Sequence, residues 1–75
     1  MENLYDVIII GAGHLGHALL QNFDFEKVGF QVDSAFDVSP ALIDTQIRGV
    51  TIRAMDQLAD YVARYQPNVA VLTVP

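Results

Sequence analysis

The chain has 75 residues, which allows one small domain at most. It carries four Lys and Arg against nine Asp and Glu, a formal net charge of −5, and an apolar content of 52%. The apolar content excludes intrinsic disorder. The scattered cations (Lys27, Arg48, Arg53, Arg64) give the chain itself no grip on DNA. The absence of cysteine excludes disulfide scaffolding and Cys-based zinc or redox chemistry.

Tyr5–Ile10 is a β-branched run that stops at a glycine, the pattern of a strand buried on both faces of a parallel sheet. Leu15, Ala18, Leu19 and Phe23 then recur at helical spacing and predict the buried stripe of a first helix. Phe30–Phe36 alternates as a second strand. Ser39 and Pro40 suit a helix cap and a first helical position, so a short helix is expected over 40–44. Gly49 breaks the chain before a third strand, Val50–Ile52. Met55, Leu58, Ala59 and Val62 mark a second stripe, ended by Pro67. Val69–Val74 reads as a fourth strand. The expected fold is a Rossmann-like three-layer αβα sandwich with a parallel sheet of four strands in the order 3-2-1-4, the first half of a dinucleotide-binding domain. No apolar run reaches the roughly 18–20 residues of a membrane span, and Met1-Glu2-Asn3 carries no positive flank, so a cytoplasmic address and no membrane partner are expected.

Gly11-Ala12-Gly13-His14-Leu15-Gly16 matches G-x-G-x-x-G between a strand and a helix. Gly11 suits a tight turn, Gly13 lets a pyrophosphate approach the backbone, and Gly16 lets helix and strand pack closely. N–H groups near Gly13–Leu15 would face the phosphates at the positive end of the helix. A plain strand-to-helix turn uses glycines too, but the flanking strand and helix favour a nucleotide. Asp37 ends the second strand 21 residues after Gly16, close to the roughly 20 expected of the acid that binds the adenosine ribose. Asp also starts turns, and Asp37 precedes Pro40; the agreement of spacing and glycines favours the ribose. No Arg follows it directly, which favours NAD(H) over NADP(H). His14 and His17 stand three apart and lack a third ligand, a poor metal site. Thr73, Val74 and Pro75 end the fourth strand beside the first, where they would either line the cofactor crevice or simply close the strand. Tyr61 and Tyr65 read as structural.

On these residues the chain resembles the nucleotide-binding domain of Rex, the redox-sensing transcriptional repressors. The resemblance is carried by Val7–Leu19 (VIIIGAGHLGHAL), Phe25–Phe30 (FEKVGF), Phe36–Pro40 (FDVSP) and Leu72–Pro75 (LTVP), nearly the whole chain. It implies a cytoplasmic homodimeric repressor, not an enzyme, in which NADH changes the dimer geometry and releases operator DNA. Gly11, Gly13, His14, Leu15 and Gly16, with Ala12 between them, would hold the pyrophosphate. Asp37 would bind the ribose, and Val38 with Thr73, Val74 and Pro75 would border the adenine. His14 departs from the Asn or Arg often found there, and Arg48 stands where a second glycine is common. DNA would be reached only through a winged-helix domain, which this chain is expected to lack.

Two other readings use the same loop and acid: the amino-terminal half of an NAD-dependent dehydrogenase, and a CoA-binding domain. No Ser/His/Asp set, Lys base or metal cluster marks this segment as catalytic. The order 3-2-1-4 would leave the fourth strand as an open edge, so self-association or poor stability of the isolated chain is expected.

Overall fold

The computed structural model describes residues 4–73. Chain order is β1 (Tyr5–Ile10), α1 (His14–Asn22), β2 (Phe30–Asp37), β3 (Gln46–Ile47), β4 (Val50–Ala54), α2 (Leu58–Tyr65) and β5 (Val69–Leu72), with single 3-10 turns at Glu26–Val28 and Met55–Gln57. The strands form one sheet in the order β3-β4-β2-β1-β5. β1, β2, β4 and β5 run parallel, which reproduces the expected 3-2-1-4 arrangement, and the added β3 runs antiparallel to β4 at one edge.

The central strands are apolar on both faces because both are covered. Val7, Ile8, Ile9, Ala35, Phe36 and Ile52 are fully or almost fully buried. Fully burying a side chain of the larger kind contributes about 1.5–3 kcal/mol. One face packs Ile9, Ala35 and Ile52 with Leu20 of α1 and Ile47 of β3. On the other, Phe36 meets Tyr61 of α2 edge to face at 5.3 Å between ring centres, and the Arg53 guanidinium lies 5.4 Å from the same tyrosine ring. Tyr61 is thus a packing residue; the Tyr65 ring lies tilted against it at 4.6 Å between centres and remains exposed.

Two expectations are corrected. No helix forms over 40–44. Leu42 and Ile43 N–H both donate to the Ser39 carbonyl, Asp44 turns left-handed at φ 71°, and the chain enters a hairpin. Arg48 and Gly49 supply two successive positive φ angles, 50° and 82°, as the type I′ turn of a tight two-residue hairpin requires. A five-residue helix scarcely offsets its nucleation cost, whereas the hairpin pairs Gln46 with Thr51 and buries Ile47.

The second correction is the rotation of α1. Its buried residues are Gly16 and Leu20, while Leu15 is 60% and Phe23 45% exposed. The reason is steric: Gly16 abuts the Gly11 carbonyl, a contact that a Cβ would prohibit. That contact fixes the helix azimuth and brings Leu20, one turn on, to the sheet. The Leu15, Ala18, Leu19 and Phe23 stripe instead lines a shallow outer groove of about 270 Å³.

Candidate functional site

The site lies at the carboxyl ends of β1 and β2, where the glycine loop turns the chain from strand to helix. Gly11 makes the turn at φ 95°, a conformation that strains any residue with a Cβ. Its N–H donates to the Phe36 carbonyl at 2.7 Å, tying the loop to β2. Gly13 caps α1 with no side-chain cap, and no acidic residue occupies the first turn. The first intrahelical bond runs from the His17 N–H to the Gly13 carbonyl at 2.8 Å. The N–H groups of His14 and Leu15 before it have no intrahelical acceptor, so the helix opens with free donors and a positive dipole end. Such an end receives phosphate.

Gly13 and Gly16 serve different needs. A Cβ on Gly16 would collide with the Gly11 carbonyl and come within 3.0 Å of Thr73 Oγ1, so this glycine is required by packing. A Cβ on Gly13 would meet nothing within 4 Å. Its φ of −70° is ordinary, while its ψ of −149° lies outside the α and β regions and suits glycine. Among the described residues nothing competes for that space, and the open ground beside free N–H groups fits the close approach of a pyrophosphate.

Asp37 closes the other side. The Ala12 N–H donates to its Oδ2 at 2.7 Å and the Ser39 N–H to its Oδ1 at 2.8 Å. These donors, Ala12 first, then Ser39 with Val38 adding, hold the carboxyl below its ordinary value against partial desolvation. The group is therefore a fixed anion at neutral pH. Its remaining lone pairs can accept from ribose hydroxyls, while a phosphate on either hydroxyl would be repelled. Ala12 is buried and its N–H is committed to Asp37, so it holds the loop's shape and offers phosphate no donor.

Two depressions flank this link. A cleft of about 400 Å³ runs from Ala12, Gly13 and His14 along α1 past His17 and Asn22 to Leu42. A second, about 240 Å³, is lined by Asp37, Val38, Ile43, Ala54, Met55 and Asp56. Val38 is 74% exposed at its rim. Ile43, Ala54 and Met55 are lining residues the sequence reading missed; only the Arg48-Gly49 turn signal, by placing a hairpin there, could have pointed to Ile43. Thr73 lies on the opposite side of β1 from Val38, with its hydroxyl against the Ile10 and Gly11 carbonyls. Val74 and Pro75 lie outside the described residues. His14 and His17 both border the larger cleft, and among the described residues no group of three or more His, Asp and Glu side chains could hold a metal ion. Among them, too, no helix is long and apolar enough to cross a membrane.

Strand, glycine turn, helix and terminal acid in a parallel sheet define a Rossmann-like α/β domain. The chain belongs to the CoA binding domain family, which matches residues 2–75. It is similar to the redox-sensing transcriptional repressor Rex of Clostridium kluyveri, with 37% identity over 75 residues, all of this chain and 36% of that protein. Its fold is also similar to RSP, a Rex-family repressor solved in complex with beta-NADH (TM-score 0.89) and with beta-NAD+ and operator DNA (TM-score 0.90). Identity to RSP is 37% in both cases, over 97% of this chain and 35% and 34% of the RSP chains. UDP-D-quinovosamine 4-dehydrogenase from Vibrio fischeri shares the fold at 22% identity and TM-score 0.74, over 92% of this chain and 56% of that one. The chain spans about a third of the length of the Rex relatives it matches.

Proposed function

We propose that this chain is the ADP-gripping half of an NAD(H)-sensing domain in a Rex-like, redox-responsive repressor. The observation that carries the reading is the pairing of Gly13 with Asp37. One leaves open ground beside free helix N–H groups, and the other is a carboxylate held charged next to it. Gly13, His14 and Leu15 take the pyrophosphate, with Gly11, Ala12 and Gly16 shaping the loop. Asp37 takes the ribose hydroxyls. Val38 with Ile43 and Met55 borders the adenine, and Thr73 borders the loop from the β5 side.

In this reading the domain binds NADH or NAD+ without transforming it and works in the cytoplasm as part of a homo-oligomer. It reaches operator DNA only through a separate winged-helix domain. A hydride-transferring enzyme built on the same half would need its catalytic groups elsewhere in the protein.

The family's description favours a second reading, CoA. CoA shares the ADP core but carries a 3′-phosphate, which meets the Asp37 carboxylate. Titration with NADH, NAD+, NADPH and CoA separates the two. We expect NADH and NAD+ to bind, with NADPH and CoA about tenfold or more weaker. CoA binding as tight as NADH overturns the sensor reading in favour of the second, and no binding of any of the four overturns both.

A further inference from the structure

Thr73 follows β5, and its N–H donates to the Ile10 carbonyl at 2.9 Å, carrying the β5–β1 ladder one residue past the strand. This places its side chain at the glycine turn. Oγ1 donates to the Gly11 carbonyl and also lies 3.3 Å from the Ile10 carbonyl. The Gly11 carbonyl and the Ala12 N–H belong to one planar peptide unit and point in opposite directions from it. The N–H end of that unit is held by Asp37 from β2. Its carbonyl end is held by Thr73 from β5. The unit follows a residue at φ 95°, where the backbone has no Cβ to limit rotation of the next peptide plane. Two side chains from strands on either side of β1 supply the restraint instead.

We propose that Thr73 is a positioning residue of the phosphate loop. Its hydroxyl fixes the orientation of the Gly11–Ala12 peptide and through it the direction of the Gly13, His14 and Leu15 N–H groups. Thr73 acts on a ligand through the loop, without touching it. The inference rests on the functional reading above only for the identity of that ligand.

Thr73→Val keeps the shape of the side chain and removes the donor; Thr73→Ser keeps the donor. The first measurement is amide hydrogen exchange of the ligand-free chain. Thr73→Val should speed exchange of the Ala12 amide, which Asp37 holds, about tenfold or more while the amides of β1 and β2 stay as in the parent, and Thr73→Ser should restore it. The second is affinity for ADP against adenosine. Thr73→Val should weaken ADP about tenfold with adenosine unchanged, because only the diphosphate reads the loop. Parent-like loop exchange in Thr73→Val overturns the proposal, as does faster exchange throughout the sheet or equal loss of ADP and adenosine. If the parent chain binds neither NADH nor ADP, the functional reading fails, and the exchange measurement alone decides the role of Thr73.

Discussion

Asp37 and Thr73, one at the end of β2 and the other just past β5, hold opposite ends of the same peptide unit: Asp37 accepts the Ala12 N–H at 2.7 Å, and Thr73 donates to the Gly11 carbonyl. The loop that would receive a pyrophosphate is thus set by its neighbours in the sheet as well as by its own glycines.

Asp37→Asn should cost both loop order and ribose recognition. Hydrogen bonds to a charged group contribute about 1.5–3 kcal/mol, so NADH affinity should fall by about ten- to a hundredfold. Discrimination against NADPH and CoA should narrow at the same time, since the repelling charge is gone. Fluorescence titration with the three ligands checks both effects.

The two inner glycines should part company on substitution. Gly16→Ala forces a methyl into the Gly11 carbonyl and should destabilise the fold by about 1–3 kcal/mol. Gly13→Ala meets open space, so its cost is limited to the backbone conformation and should be smaller than that of Gly16→Ala, while NADH is weakened sharply. Urea denaturation beside NADH titration resolves the pair. A Gly13→Ala chain that binds like the parent would remove the pyrophosphate from this place.

Asp37 also sets an acid limit. Its folded value is lowered below the unfolded value of about 3.9, so its stabilisation is complete above that pH and is lost as pH falls through the folded value. Stability due to this group should be level from about pH 5 upward and decline in stronger acid. Denaturation of the parent and Asp37→Asn at pH 7, 4 and 3 should show their difference shrinking toward the acid end.

Asp33 carries the opposite sign. It lies where the β1–β2 register shifts between Val7 and Ile8, left without a partner on β1. Burial first, and then the Asp6 carboxylate, raise its value. The charged form is disfavoured in the folded state, so Asp33→Asn should modestly raise the denaturation midpoint at pH 7. The gain should vanish as pH falls and the parent carboxyl protonates.

β5 sits at the sheet edge with Val69, Ala70 and Leu72 exposed, Leu72 at 67%. An apolar open edge is a template for another strand. Sedimentation should show concentration-dependent association of the 75-residue chain, reduced by Ala70→Lys. A monodisperse monomer at all concentrations would contradict it.

Local signals made much of this protein legible before any fold was seen. A β-branched run stopping at Gly11, the G-x-G-x-x-G spacing and Asp37 at the end of an alternating strand each depend on a few neighbouring residues. They fixed the parallel α/β class, the strand order 3-2-1-4 and the place of the candidate site. The rest depends on groups far apart in the chain. Helical periodicity cannot tell which stripe of α1 faces the sheet; the contact of Gly16 with Gly11 turned Leu15 and Phe23 outward and Leu20 inward. The segment after Pro40 became a hairpin because burying Ile47 against the sheet outweighs a helix too short to sustain itself. The hold of Asp37 on Ala12 and of Thr73 on Gly11 spans 25 and 62 residues of sequence, and only the packed sheet brings those atoms together.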